Sequence, residues 1–544
     1  MPDETSPAAA PAPARARLSR PCVLIIVVAG VERFANKGMS SNLVTYLTGV
    51  VGMSTSAAAK CISAWSGVCF MLPLLTAVLA DSYWDRYSAI AASSFFYVLG
   101  MAGLTTWQLL RKWMPRSTLF IPLYLMSIGQ GGYQPALQAF GADQLDDDDA
   151  AAAGDNAEEP GGEAAAEARR KVKSMFFQWW YFGLCSGSLV GNSTMSYVQD
   201  NFGWTLGFAI PSAIMAISVV VFFSCTPLYK HTQTQAKAPG RPSPGSFVKV
   251  LKSILAFVGV RKISLSPRDD NGNAISELEL QEEPLKAEAA NAKEPPDEAA
   301  PRVGKVILGL LPIWAILLIF AVIYQQPMTF FTKQGMLMDH AVAGGAFVVP
   351  PAMLQSSVTV SIILLVPMYD RLIIPAINAV TGRGDGITVL QRIGVGMVLS
   401  VVAMAIAALV EARRLRAALG GGGGRRLSIF WLLPQYVLLG VSDVFTVVGM
   451  QEFFYAQVPA AMRTVAFALY LSVFGFGSFL GAFIITALEA VTAAPGDGRG
   501  WFSDDPRQAR LDNYYWFLAL LCAISFLVFT HLCQYYRGKD PSGK

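Results

Sequence analysis

Long apolar segments recur along the chain with the length that suits membrane-spanning helices. A helix needs about 20 mostly apolar residues to cross the hydrocarbon core of a bilayer. Six such segments precede a long polar stretch and six follow it, so the pattern predicts two six-helix halves. The predicted spans begin near Cys22, Ala58, Tyr87, Leu119, Met175, Trp204, Val306, Ala346, Leu390, Ile429, Thr464 and Tyr514.

The polar stretches between these segments set the predicted domain boundaries. Two six-span halves around a central loop are the plan of the major facilitator superfamily, whose substrate site lies at the midplane between the halves. Within the first half, the acidic and alanine-rich stretch 143–173 is predicted to be a solvated loop. We assign a disordered tail to 1–20, helical bundles to 21–225 and 303–536, a cytoplasmic linker to 226–302, and a C-terminal tail to 537–544.

The composition favours a chain that has lipid as its solvent. Of the 544 residues, 53% are hydrophobic and 15% are charged, whereas a soluble domain usually carries about 25% charge. The net charge of +4 is too small to indicate nucleic-acid binding. The seven cysteines have no paired or metal-like spacing, and no nucleophile–base set is visible. We therefore expect no metal, no cofactor and no enzymatic activity.

Lysine and arginine in the loops predict that both termini lie on the cytoplasmic side, because cytoplasmic loops are enriched in these residues. The predicted inner loops contain Arg86, the basic cluster at 169–173 and the basic linker. One loop disagrees with this orientation, since the segment between spans nine and ten would place five arginines on the outer side. These are Arg413, Arg414, Arg416, Arg425 and Arg426.

The first span contains three charges within six residues. Arg33 and Lys37 are four positions apart, so they share a helix face on which two cations repel each other. Glu32 is adjacent to Arg33. Charged side chains inside a span usually face a cavity or an ionic partner. Asp443 in span ten is the predicted partner, because it lies in the opposite half.

Several other polar or small residues stand out within the apolar segments. Tyr324 and Gln325 precede Pro327, which favours a kink, and we expect them to line the cavity. Glu452 lies near the cytoplasmic end of span ten, where a simple solvated position is an equal alternative to a role in gating. The glycine-rich stretches 129–132 and 187–191 predict close approach of helices.

Six stretches, in this order, resemble the plant nitrate/peptide branch of the proton-coupled oligopeptide transporter family. The resemblance extends from about Val31 to Tyr536 and implies a major-facilitator fold, alternating access, proton coupling and a monomer. The stretches are Glu32-Arg33-Phe34, ADSYWDRY at 80–87, AFGADQ at 139–144, WYF at 180–182 with GSL at 187–189, VPMYDR at 366–371, and EFFY at 452–455.

The resemblance also implies roles for charged residues at the helix ends. Asp81 and Arg86 match the loop motif that latches the cytoplasmic gate in this family. We group Asp370, Arg371 and Glu452 with them as candidate gating residues.

The chain departs from the family pattern at two charged positions. Ala29 occupies the place of the first acid in the motif Glu-x-x-Glu-Arg, and Gln134 occupies the place of a lysine in span four. A buried charge that loses its partner costs about 3–5 kcal/mol, and losing both charges together largely avoids this cost. The paired absence predicts that proton coupling is weakened, or moved to Glu32, Asp443 and the added Lys37.

The substrate signatures of the family are altered as well. Residues 36–40 lack the Tyr-Tyr-Gly-x-Arg sequence of peptide carriers, and Tyr324 occupies the place of the histidine of nitrate binders. Arg33 and Lys37 could still bind an anion, so nitrate, an organic anion, a hormone or a glycosylated metabolite all remain open. The predicted function is secondary transport across the plasma or vacuolar membrane. A proton-independent facilitator and a non-transporting sensor are the alternatives, and retention of Asp81 and Arg86 favours transport.

Overall fold

The computed structural model describes residues 18–83, 86–152, 162–229, 296–342, 347–368, 388–419, 426–457, 463–493, 500–505 and 507–537. Within these ranges the chain is almost entirely helical. The first half contains α1 (Arg20–Ser40), α2 (Leu43–Gly49), α3 (Thr55–Tyr83), α4 (Arg86–Leu110), α5 (Phe120–Ala152), α6 (Gly162–Asn201) and α7 (Trp204–Ser224). The second half contains α8 (Pro296–Tyr324), α9 (Phe330–Met336), α10 (Ser356–Met368), α11 (Val389–Leu419), α12 (Leu433–Ala456), α13 (Arg463–Thr492) and α14 (Leu511–Arg537).

Short elements follow or connect several of these helices. Two-residue strands β1 (Ala341–Val342) and β2 (Phe347–Val348) pair antiparallel. Short 3₁₀ turns occur at Arg116–Leu119, Thr226–Leu228, Gln326–Met328, Pro351–Gln355, Ile429–Leu432 and Gly500–Phe502.

Eight helical segments of the described ranges are long and apolar enough to cross a membrane. They lie in α3, α4, α7, α8, α11, α12, α13 and α14. The other predicted spans correspond to α1, α5, α6 and α10. The first of these carries Arg20 besides its three clustered charges, and α10 has only 13 residues. Many large apolar side chains are exposed on the outer faces of the helices, including Leu364, Leu409 and Leu527, as expected for a surface in contact with lipid.

Glycines set the distance between neighbouring helices of the first half. A Cβ atom on Gly187 of α6 would overlap the carbonyl oxygen of Gly30 in α1. A Cβ atom on Gly129 of α5 would overlap the backbone nitrogen of Tyr97 in α4. Only glycine permits backbones to approach this closely. The predicted packing role of both glycine-rich stretches is confirmed.

Two boundaries from the sequence differ from the structure. The stretch 143–173 was predicted to be a loop, which is wrong for residues 143–152 of α5 and 162–173 of α6, because both segments are helical. Alanine is the strongest helix former, and the alanine runs at 150–152 and 164–166 favour extension of the helices beyond the apolar segments. The seventh span also starts earlier than predicted, since α8 begins at Pro296 inside the assigned linker. The tail 1–17, residues 230–295 and residues 538–544 lie outside the described residues.

The arginine-rich end of α11 is explained in part by local partners. We call the side at which α1 ends the outer side, because the loop charges predict that it faces away from the cytoplasm. Arg414 pairs there with Glu411, with Nε and Nη2 at 2.9 and 2.7 Å from the two carboxylate oxygens. The guanidinium of Arg413 lies 4.5 Å from the centre of the Trp431 ring. Two of the five exceptional arginines are therefore held by the protein itself.

Candidate functional site

Charged and polar side chains from both halves converge between α1, α8 and α12. We call Glu32, Arg33, Lys37, Tyr324 and Asp443 the central charge cluster. Lys37 interacts electrostatically with Asp443, and Tyr324 interacts with both Asp443 and Arg33. The structure therefore brings together the first-span charges and the acid that the sequence proposed as their partner.

Asp443 is the most isolated acid of the central charge cluster. Its side chain is buried, and its Oδ1 atom has no hydrogen-bond partner within the described part of the chain. Lys37 is half-buried, and no ion-pair contact joins it to Asp443 among the described residues. A buried polar atom normally has a hydrogen-bond partner. Asp443 is therefore suited to receive a proton, a water molecule or a polar group of a substrate.

Glu32 is held differently, through contacts inside the first half. The hydroxyl of Tyr97 donates a hydrogen bond of 2.7 Å to Glu32 Oε1. The Asn36 amide donates to the Tyr97 hydroxyl oxygen at 2.9 Å. Arg33 Nε lies 3.9 Å from Glu32 Oε2. Sequence reasoning missed Tyr97, because a tyrosine in an apolar span is more often a packing residue.

The altered motif position Ala29 and the predicted site residues Gln134 and Gln325 lie outside the central charge cluster. Ala29 is buried in the core of the first half. Gln134 is half-buried, and its side chain makes no hydrogen bond to the described residues. Gln325 is buried and donates to the Ser478 hydroxyl of α13 at 2.9 Å. The Gln325 side chain therefore joins α8 to α13, and its Oε1 atom is without a partner in the described residues.

An aromatic group lies beside the cluster where the halves meet. The Phe70 ring of α3 stacks on Phe474 of α13 with centroids 5.3 Å apart. Tyr324 contacts both rings, at 6.4 Å from Phe70 and 4.9 Å from Phe474. Phe70 and Tyr324 are only half-buried. These three aromatic rings therefore form an apolar surface beside the central charge cluster.

Hydrogen bonds between the halves occur at the outer ends of α3 and α13. Lys60 Nζ lies 2.7 Å from Glu489 Oε2, and the Ser56 hydroxyl donates to Glu489 Oε1 at 2.7 Å. The backbone N–H of Thr55 donates to Asp504 at 2.9 Å. Sequence reasoning missed Lys60 and Glu489, although ionisable residues in apolar helices were a usable signal.

A second group of contacts closes the outer side near α6 and α10. The Gln355 amide donates to the backbone oxygen of Ser41 at 2.8 Å. Asn192 donates to the Ser356 hydroxyl at 2.8 Å and to the backbone oxygen of Ala352 at 3.2 Å. Both sets of contacts join the first half to the second, so the outer side of the interface is closed in this conformation.

The predicted gating residues are only partly described. Arg86 donates from the start of α4 to the carbonyl oxygen of Ala139 in α5 at 3.4 Å. Glu452 of α12 pairs with Arg392 of α11 at 3.5 Å. The side chain of Asp81 lies outside the described residues, as do Asp370 and Arg371 entirely.

Comparisons with known proteins agree on one family. The profile of the POT family (PTR2) matches residues 87–502. The NRT1/PTR family protein 5.9 of Arabidopsis thaliana is 46% identical over 554 aligned residues, with 97% of each chain covered.

Solved structures show the same fold. An auto-inhibited POT family peptide transporter superposes with a TM-score of 0.70 at 21% identity, covering 97% of this chain and 99% of its own. The POT family transporter PepTSo superposes with a TM-score of 0.69 at 20% identity, covering 96% of this chain and 99% of its own. The predicted major-facilitator fold is confirmed.

Proposed function

The chain belongs to the POT family, in its NRT1/PTR branch, and we propose that it is a proton-coupled secondary transporter whose coupling site is the central charge cluster. The observation that carries this proposal is the buried Asp443 carboxylate, which has an unpartnered oxygen and interacts with Lys37 of the other half. The Ala29 and Gln134 positions carry no charge, so the coupling role falls to the ionisable residues that remain.

The cluster can link proton binding to movement of the halves. An ionised Asp443 attracts Lys37 across the interface between α12 and α1. A proton on Asp443 removes this attraction, so the electrostatic energy of the closed interface depends on proton binding. Transport by alternating access needs such a dependence, because a ligand shifts an equilibrium only by binding one state better than the other.

The same residues suggest the class of substrate. Glu32 already lies close to Arg33 and accepts from Tyr97, which leaves Lys37 as the cation best placed to bind an anionic group. The aromatic group of Phe70, Tyr324 and Phe474 offers apolar contact beside it. We propose nitrate or a small organic anion as substrate, and the aromatic side favours the organic anion.

Gradient-dependent uptake is the first expected result. Oocytes that express the full chain should accumulate labelled nitrate, or a labelled organic anion from a panel, several times faster with an inward proton gradient than without one. Water-injected oocytes are the control. An uptake rate that is the same with and without the proton gradient would indicate a facilitator. Absence of uptake for the whole panel, with the protein at the surface, would contradict transport and favour a sensor.

Removing the outer ion pair should open the outer side more often. Glu489→Gln takes the partner from Lys60, and a partly exposed pair contributes about 1 kcal/mol, so the outward-open population should rise about fivefold. A cysteine placed at Ser41, which is buried in the closed interface, should then react about fivefold faster with a thiol reagent that cannot cross the membrane.

Two further variants control for this effect. Lys60→Arg keeps the charge and should leave the labelling rate close to that of the parent. The exchange Lys60→Glu with Glu489→Lys restores opposite charges and should return the rate most of the way. Equal labelling rates in Glu489→Gln and the parent would contradict the role of this pair in closing the outer side.

A further inference from the structure

Three buried side chains form a continuous hydrogen-bonded chain between α1 and α4. Asn36 donates to the hydroxyl oxygen of Tyr97 at 2.9 Å, and the Tyr97 hydroxyl donates to Glu32 Oε1 at 2.7 Å. The exposed fractions are 5% for Asn36, 0% for Tyr97 and 1% for Glu32. Both ends of the chain lie on one face of α1, because Glu32 and Asn36 are four positions apart.

Helix packing holds Tyr97 in this place. The Tyr97 backbone contacts α5 at Gly129, where a side chain would overlap the Tyr97 nitrogen. One turn further along, a Cβ atom on Gly100 would overlap the backbone nitrogen of Met126. These contacts fix the Tyr97 backbone against α5, while its hydroxyl reaches across to α1. The glycine-rich stretch of α5 therefore also determines where the Tyr97 hydroxyl meets α1.

Few other titratable groups of the described residues face Glu32. Arg33 and Lys37 act on it from α1, and Tyr133 interacts with it from α5. Gly187 of α6 and Pro211 of α7 contact this part of α1 and carry no titratable group. The hydroxyl of Tyr133 has no hydrogen-bond partner in the described part of the chain. Among the described residues, Tyr97 is therefore the one hydroxyl that donates to the Glu32 carboxylate.

We propose that Asn36 and Tyr97 are positioning residues that reverse their hydrogen bonds when Glu32 gains a proton. This inference rests on the proposed function, because it assumes that Glu32 exchanges protons during transport. With Glu32 ionised, the chain runs as observed, from the Asn36 amide nitrogen through Tyr97 to the carboxylate.

The protonated state can be satisfied by the same three groups. The new proton sits on Glu32 Oε1, which then donates to the Tyr97 oxygen. The Tyr97 hydrogen turns toward Asn36, whose amide rotates to present Oδ1 as acceptor. An amide can serve both states because it carries a donor and an acceptor at nearly equivalent positions. The rotation also changes the side chain that precedes Lys37 on α1, so protonation of Glu32 alters the surroundings of a second member of the central charge cluster.

The two ends of the chain should respond oppositely to mutation. Tyr97→Phe removes the donor to the ionised carboxylate, so Glu32 binds its proton at higher pH, by about one pH unit. Asn36→Leu removes a hydrogen bond in both states. In the ionised state Tyr97 still donates to Glu32, whereas in the protonated state the Tyr97 hydrogen is left buried without an acceptor, so Glu32 binds its proton at lower pH. A purely structural role for either residue would lower protein yield without producing shifts of opposite sign.

The experiment measures the protonation of the Glu32 carboxyl group directly. The full chain is reconstituted in lipid, and the infrared band of protonated carboxyl groups is titrated with pH, using Glu32→Gln to identify the Glu32 contribution. Tyr133→Phe is the matched control, since it removes a neighbouring hydroxyl without a partner and should leave the titration midpoint unchanged. Uptake of labelled nitrate against pH is measured in parallel.

The outcomes separate the inference from the proposed function. Opposite shifts of the infrared midpoint in Tyr97→Phe and Asn36→Leu support the reversal, whether or not nitrate is transported. Shifts of the same sign, no shift, or a spectrum that Glu32→Gln does not change would overturn it. The infrared titration could show opposite shifts while the uptake rate is independent of the proton gradient. That result would contradict only the proposed proton coupling.

Discussion

Asp443→Asn should lower gradient-driven uptake by about 100- to 1,000-fold, because a buried charge stranded without its partner costs roughly 3–5 kcal/mol. Lys37 is half-buried rather than fully enclosed, so we expect the lower part of this range. The asparagine keeps the size of the side chain but can neither pair with Lys37 nor take up a proton. The measurement is initial uptake with and without an inward proton gradient, normalised to the amount of protein at the surface.

Two comparisons make this prediction specific. The double variant Lys37→Gln with Asp443→Asn removes both charges together, so it should reach the surface normally and lose only the response to the gradient. Ser442→Ala changes the neighbouring residue, whose hydroxyl donates to the Gly396 carbonyl oxygen at 2.7 Å, and tests the effect of local packing. A single variant Asp443→Asn that keeps the full response to the gradient would refute the assignment of Asp443.

Arg414→Met should destabilise the second half more than any other single change considered for this helix. Glu411 has an exposed fraction of 0% and accepts two hydrogen bonds from Arg414. Removing one member of such a buried pair costs about 3–5 kcal/mol, since the remaining charge has no compensation. The detergent-solubilised protein should melt at least about 5 °C lower than the parent.

The matched controls lie on the same helix. Glu411→Leu combined with Arg414→Met replaces the pair by apolar side chains and should recover most of the lost stability, as buried pairs often allow. Arg416→Met removes an exposed charge two residues away and should change the stability by no more than about 0.5 kcal/mol. If the double variant melts as low as Arg414→Met, the loss is one of packing and not of an uncompensated charge.

The sequence was sufficient for the arrangement of spans because lipid imposes a simple rule on composition. Apolar length predicted the two halves, and glycine spacing predicted the close contacts made by Gly129 and Gly187. Apolar length does not predict where a helix ends outside the membrane, because residues there are surrounded by water and not by lipid. The acidic stretch 143–173 was therefore taken as a loop, although its alanine runs favour helix and α5 and α6 extend into it.

The first-span charges could also be identified from the sequence, because charge inside a span is costly and therefore informative. Helix periodicity placed Arg33 and Lys37 on one face, and the need for an opposite charge pointed to Asp443. The structure places these residues in one cluster. Gln325 shows the limit of the same reasoning, since a polar residue next to Tyr324 bonds to Ser478 of a neighbouring helix instead.

The sequence by itself determined the apolar spans, the polar positions within them, and where small residues allow contact. Only the tertiary structure decided which faces meet, because the rotation of one helix against another depends on all of its neighbours at once. The bonds of Tyr97 to Glu32 and of Lys60 to Glu489 join residues 65 and 429 positions apart, and no local spacing predicts them. The pairing of charges across the two halves is therefore a property of the packed bundle.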